Sequence, residues 1–326
     1  MTGRETRITW RDRTRRWSLA PDGRPRPNAP FGRGPVAARI LGHVIDGAVA
    51  IGSRTPARLA HGLAVVGGNI EWAARRSKRR QLAENLAHAV GSPAASPSVR
   101  SLVRREMVNE AKRSADLLWA IGRPDDFLAA TVIQGREHVV EATARGHGVV
   151  LVGAHVGGWE VATALPSAVL SVPTTVIVAD DWLAWAIQHV RHAAGLRVAY
   201  AGRLPLDSVR LLQRGEALLL LGDDGSQTSA RSYAVRLCGT TAVMPAGVVS
   251  LARLAGAPIV PFTVLPRGPR QWIATIESHL EPPDRGSGPE GERAVLQLLA
   301  DRWTETVRRS PEHWAASFPI DWQSTR

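Results

Sequence analysis

The chain has 326 residues and one cysteine, Cys238, which excludes an intramolecular disulfide framework and a multi-cysteine zinc site and fits a reducing cytoplasm. Its formal charge is +12, yet 17 Lys and Arg against 5 Asp and Glu fall in residues 1–80 and the remainder carries 24 of each, so the excess is confined to the amino end. A localised basic region points to an anionic partner: membrane lipid, nucleic acid or an acidic substrate.

Residues 1–35 are rich in Arg, Pro and Gly without a sustained period, and read as a flexible basic arm in which Trp10 and Trp17 could dock on the body or dip into a lipid interface. A solvated, solubilising tail is the bland alternative. No apolar h-region follows the Arg-rich start, so no signal peptide is expected. Arg39, His43 and Asp46 interrupt residues 36–52, which fall short of the roughly 20 apolar residues a membrane span needs.

Residues 36–128 form a helical region. Ile40, Val44, Ile45, Ala48 and Val49 recur at helical spacing, followed by Leu59, Leu63, Val66 and Ile70. The cluster Arg75-Arg76-Ser77-Lys78-Arg79-Arg80 comes just after Trp72. An apolar stripe leading into cations suits a helix lying on an anionic membrane surface. It equally suits a helix packed on the core with a solvated end. Residues 92–99 break the pattern, and Ser98 is a candidate N-cap for a helix over about 99–121.

From about 129 to 310 the pattern becomes α/β. Short apolar runs at Val149-Val150-Leu151-Val152, 174–178, 217–221 and 258–264 alternate with helix-like segments at about 183–194, 206–214 and 245–255, and 289–310 is a last helix. Buried strands alternating with helices predict a mainly parallel central sheet flanked by helices. Residues 311–326 read as a carboxyl-terminal tail.

The chemistry sits in His155-Val156-Gly157-Gly158-Trp159-Glu160, directly after the run at 149–153. Sites in α/β sheets form at the carboxyl ends of strands. Gly157 and Gly158 permit a tight turn and close ligand approach. Glu160, near the start of the next helix, points back towards the imidazole, and a histidine oriented by a carboxylate is a general-base arrangement. A core histidine with a helix-capping glutamate is the alternative. Gly222-Asp223-Asp224-Gly225 ends a Leu-rich run and faces the same sheet edge. These adjacent carboxylates could help assemble the site, hold a divalent cation, or form a solvated turn.

These residues resemble the lysophospholipid acyltransferase superfamily, in the branch of the lipid A late acyltransferases and the phosphatidylinositol mannoside acyltransferase. That branch carries a His-x4-Asp/Glu motif, commonly within His-x-Gly-Asn-Trp-Glu/Asp, and Trp159 and Glu160 match while Gly158 stands where Asn is usual. Collinear features agree: Arg79-Arg80 with Asn85-Leu86, Gly135-Arg136-Glu137-His138, Gly215 to Asp223-Asp224, and Gly239 to Met244-Pro245-Ala246-Gly247 with Leu251-Ala252-Arg253 and Gly256-Ala257-Pro258. The resemblance covers roughly residues 36–310. It implies that His155 deprotonates an acceptor hydroxyl, that Glu160 orients it, and that no covalent enzyme intermediate or cofactor is used. The co-substrate is acyl-CoA or acyl-carrier protein, and backbone donors after the strand, or a nearby cation, stabilise the oxyanion. Gly157, Gly158, Trp159, Asp223 and Asp224 are expected on the substrate side, with no metal. Two departures bear on the acceptor: Leu237-Cys238 lacks an aromatic pair usual before Gly239, and Asp180-Asp181-Trp182 stands where relatives often carry arginine.

Other residues read as structural. His189 and His192 lack a metal-ligand partner, Cys238 packs, and Arg203 and Arg231 could meet CoA phosphates or solvent. The expectation is therefore an O-acyltransferase bound peripherally to an anionic membrane at the cytoplasmic face of the plasma membrane, with a glycolipid hydroxyl as acceptor. The Ala/Arg/Pro-rich composition suits a high-GC bacterium such as an actinobacterium. A tailoring enzyme for a specialised metabolite is the alternative substrate reading. A basic nucleic-acid-binding protein is the alternative class, but no recognition motif accompanies the charge, so nucleic acid is not an expected partner.

Overall fold

A computed structural model describes residues 35–162, 172–178, 197–200, 205–224 and 231–323. The expected arm with Trp10 and Trp17, the helix at 183–194, Asp180-Asp181-Trp182, His189, His192, Arg203 and Gly225 lie outside the described residues.

The amino-terminal region is built from α1 (Pro35–Arg54), α2 (Ala57–Ala74), α3 (Arg76–Val90), α4 (Pro97–Gly122) and the short α5 (Pro124–Ala129). Pro56, Arg75 and Gly91, the last in the left-handed region at φ 63°, divide what the periodicity left as one stretch. Helix α4 is capped by Ser96, whose hydroxyl accepts from the Val99 N–H at 3.3 Å. The expected cap, Ser98, falls in the first turn, because Pro97 occupies the first helical position, where its missing N–H costs nothing.

Helix α2 packs in an inverted sense. Its buried residues are the small ones, Ala60, Ala64 and Gly68. A Cβ on Gly68 would lie 2.6 Å from the Val108 Cα of α4, so the two backbones meet closely there. The large apolar residues of the same helix, Leu59, Leu63, Val66 and Ile70, are 56–64% exposed. The stripe that the periodicity marked is thus outside the core. Of the cation cluster, Lys78 turns inward to Glu71 (2.9 Å) and Glu110 (2.7 Å), whereas Arg75, Arg76 and Arg80 are exposed.

The α/β part follows as β1 (Thr131–Gln134), α6 (Arg136–Ala144), β2 (Val149–Gly153), α7 (Trp159–Ala162), β3 (Thr174–Val178), β4 (Arg197–Tyr200), α8 (Pro205–Gln213) and β5 (Ala217–Leu221). After these come β6 (Ser232–Leu237), β7 (Thr240–Pro245), α9 (Gly247–Ala255), β8 (Ile259–Gly268), β9 (Gln271–Ile276), α10 (Gly288–Arg309), a 3₁₀ turn (Pro311–His313) and β10 (Asp321–Gln323). The central sheet has the order β1-β9-β8-β2-β5-β3-β4, parallel except for the β8–β9 hairpin. The mainly parallel sheet flanked by helices is therefore present. All five residues of β2 are buried, and alternate ones serve the two faces: Val150 and Val152 join one apolar cluster, Val149 and Leu151 the other.

Beyond the expected elements, β6, β7 and β10 form a small antiparallel sheet. Its hairpin turns at Cys238 (φ 53°) and Gly239 (φ 84°), and two positive-φ central residues match the twist of antiparallel strands. Burial pushes the Cys238 thiol up to about 11, in keeping with a packing residue. The last residues return to the body: Trp314, Ala316 and Ile320 are buried and β10 pairs with β7.

Candidate active site

Strand register creates the site. β2 and β5 are parallel neighbours, with Gly153 opposite Leu221. Two residues beyond each of these stand His155 and Asp223, which therefore leave the sheet side by side at its carboxyl edge. The His155 Nδ1 lies 2.7 Å from Asp223 Oδ1, and the His155 backbone N–H donates to Asp223 Oδ1 and Oδ2, both at 3.0 Å. Asp223 is 1% exposed and His155 19%. A second donor, the Trp314 indole N–H, reaches Asp223 Oδ2 at 3.0 Å. A carboxylate surrounded by these donors is the acceptor in every bond, so Nδ1 carries the proton and the lone pair of the neutral imidazole resides on Nε2.

Glu160 is the carboxylate expected to orient the imidazole. Glu160 stands in the first turn of α7, as anticipated, but no hydrogen bond joins it to His155 among the described residues; the Nδ1 bond goes to Asp223. Glu160 Oε2 is cut off from solvent. Burial pushes its carboxyl up, and the nearby Arg113 guanidinium of α4 opposes this. Arg113 is itself buried and paired with buried Glu106 at 2.9 Å. Burial alone would lower the His155 pKa, but Asp223, reinforced by Asp224 and Glu160, outweighs it and raises the imidazole above its ordinary value.

The loop after His155 is tightly held. Gly157 has φ 69°, and a Cβ there would lie 2.1 Å from the Val264 carbonyl oxygen of β8. Gly158 stands against Trp272, whose indole Cδ1 and Nε1 are 3.3 Å from the position of a Cβ. The resemblance puts Asn here, and a side chain of that size would require Trp272 to move. The backbone N–H groups of Val156, Gly157 and Gly158 donate to Ala154 O (2.7 Å), His313 O (2.8 Å) and Val264 O (2.7 Å). The His155 N–H is engaged by Asp223. The N–H groups of His155, Val156, Gly157 and Gly158, among the backbone donors expected to stabilise an oxyanion, are thus occupied internally.

Aromatic rings flank the imidazole. Trp159 approaches edge-on at 5.0 Å between centroids and Phe318 lies tilted at 4.9 Å. The Trp159 indole N–H is buried without a hydrogen-bond partner among the described residues. Asp224 is half-buried beside the dyad and contributes to the field on His155. Sequence reasoning missed Trp314 and Phe318, which arrive from the carboxyl-terminal segment. The available signal was their aromatic character in a stretch read as a tail. No group of three or more His, Cys, Asp or Glu among the described residues is arranged to hold a metal ion.

The chain is similar to known proteins. The family model described as "Bacterial lipid A biosynthesis acyltransferase" matches residues 47–316. That span contains the dyad, the glycine loop and Trp314. A similar protein is the "Phosphatidylinositol mannoside acyltransferase" of Mycolicibacterium smegmatis (strain ATCC 700084 / mc(2)155), 29% identical over 296 residues, covering 86% of this chain and 90% of the relative.

Proposed function

Since the chain belongs to the bacterial lipid A biosynthesis acyltransferase family and is an acyltransferase of the lipid A and phosphatidylinositol mannoside type, we propose that it moves a fatty acyl group from acyl-CoA or acyl-carrier protein to a hydroxyl of a glycolipid such as a phosphatidylinositol mannoside, with His155 as general base. The observation that carries this reading is the His155–Asp223 pair at 2.7 Å on the carboxyl edge of the central sheet.

In the proposed reaction the acceptor hydroxyl oxygen attacks the thioester carbonyl carbon while Nε2 of His155 takes its proton. Asp223 holds the tautomer that leaves Nε2 able to do so and stabilises the imidazolium that forms. The tetrahedral intermediate expels the thiolate, which takes the proton back from His155, giving an ester and a free thiol. Glu160 adds negative potential that also favours the imidazolium. Asp224 and Trp159, beside the dyad, are on the substrate side.

The protein works on the cytoplasmic face of the plasma membrane in this reading, as a peripheral protein. Among the described residues no helix is long and apolar enough to cross a membrane. The outward Leu59, Leu63, Val66 and Ile70 of α2, next to exposed Arg75, Arg76 and Arg80, support surface binding: the apolar side chains enter the acyl boundary and the cations meet lipid phosphates.

The test is transfer of labelled palmitoyl from palmitoyl-CoA, and from palmitoyl-carrier protein, to purified phosphatidylinositol mannosides. Product formation that depends on His155 is expected. Wild-type transfer by His155→Ala would overturn the base assignment. Failure of mannoside acceptors alongside transfer to another glycolipid would overturn the acceptor.

A further inference from the structure

The carboxyl-terminal segment and helix α3 form a brace behind the dyad. Asn85 of α3 is fully buried, and its side chain is satisfied on both atoms. Its Nδ2 donates to Ala316 O at 2.8 Å and to Phe318 O at 2.9 Å, and its Oδ1 accepts from the Trp322 indole N–H at 2.8 Å. Trp322 in turn belongs to β10, paired with β7. The segment fixed in this way meets the His155 loop repeatedly. His313 O accepts from the Gly157 N–H at 2.8 Å, and the Ala315 N–H donates to His155 O at 2.8 Å. Phe318 rests on the imidazole, and Trp314 donates to Asp223 Oδ2.

Resting on the reading of His155 as the base, we propose that Trp314, held in place by Asn85, is a positioning residue for the acyl transfer: its indole N–H fixes Asp223 Oδ2 so that Oδ1 stays on the imidazole. The carboxylate has one torsion by which to swing its oxygens. The His155 backbone N–H reaches both oxygens and does not distinguish them, whereas the indole binds one only. The indole also withdraws charge from the carboxylate. Without it the His155 N–H still keeps the carboxylate against the ring, and Asp223, with more negative charge facing the imidazole, makes His155 hold its proton more strongly. The other charged groups acting on His155 are Asp224 beyond β5 and Glu160 of α7, with Arg113 of α4 acting on Glu160. From the carboxyl-terminal segment the titratable neighbour is His313, which burial lowers to about 4, leaving it neutral over the working range. None of these changes when Trp314 is replaced by a ring without the donor.

The experiment is steady-state kinetics of full-length Trp314→Phe and Asn85→Ala with palmitoyl-CoA and phosphatidylinositol mannoside, from pH 5 to 9. A hydrogen bond to a charged group predicts that Trp314→Phe lowers kcat by about ten- to a hundred-fold with KM for both substrates within about threefold. The acid limb of the kcat/KM profile should move to higher pH, because a more basic His155 must lose its proton at higher pH to act. Asn85→Ala should give the same split and the same direction. Should either variant not fold, Trp322→Phe, which releases Asn85 from its other side, takes its place with a smaller shift in the same sense. An acid limb at the wild-type position in Trp314→Phe, or in Trp322→Phe where that is the variant used, overturns the proposal, since a loss of folded enzyme lowers the amplitude without moving the limb. His155→Ala is run alongside. If it is inactive while the Trp314→Phe limb is unmoved, only the positioning role fails; if it transfers normally, the base reading fails.

Discussion

Replacing Asp223 by Asn tests the core of the mechanism at nearly constant shape. The amide oxygen in the Oδ2 position can still accept from Trp314 and from the His155 N–H. Its NH₂ then faces Nδ1, 2.7 Å away in the native pair, and donates to it. Nδ1 must become an acceptor, so the proton moves to Nε2 and the base loses its lone pair in the direction of the acceptor. The same tautomer error in a Ser-His-Asp triad costs about 10⁴ in kcat, or about 5 kcal/mol in the activation barrier. A fall of about 10³–10⁴ in kcat is expected, read from labelled palmitoyl transfer at saturating substrates. The fold should survive, with unfolding cost near the roughly 1.5–3 kcal/mol of a charge-assisted hydrogen bond, measured by denaturant titration. Glu160→Gln, tested in parallel, should cost far less, because Glu160 acts on His155 through space. Near-wild-type turnover by Asp223→Asn together with an inactive Glu160→Gln would refute the reasoning and return the orienting role to Glu160.

Three further outcomes are expected. Gly157→Ala should lower stability by about 2 kcal/mol or more, because φ is 69° and the Val264 oxygen lies 2.1 Å from the new Cβ; thermal unfolding checks this, and turnover should fall with the distorted loop. His313, lowered by burial to about 4, makes the fold lose stability on acidification from pH 6.5 to 4, where the unfolded chain takes up the proton and the folded one does not. The loss is at most about 3 kcal/mol, and His313→Asn should flatten the pH–stability curve in that window; an unchanged slope would show that His313 is not its source. Leu63→Asp with Ile70→Asp should weaken sedimentation with phosphatidylglycerol–phosphatidylcholine vesicles by roughly tenfold or more for each position, and unchanged binding would remove α2 from the membrane contact.

The sequence by itself determined the parts whose signal is local. Strands β2, β3 and β5 were legible because each is a short run of apolar or β-branched residues with breakers at its ends, and β2 placed His155 at a carboxyl edge. It also placed Asp223 at that edge, since another such run precedes it. Tertiary structure decided which carboxylate meets the imidazole. Glu160 is five residues from His155 and Asp223 is 68, yet the register of β2 on β5 brings the distant one into contact, and pairing register across so long a separation leaves no local mark. The same holds for residues 313–318, whose value to the site depends on where Asn85 captures them. On α2 the periodicity was legible but its sense was not. The stripe Leu59-Leu63-Val66-Ile70 and the row Ala60-Ala64-Gly68 have the same helical spacing, and close backbone approach to α4 admits only the small side chains, leaving the large ones outside.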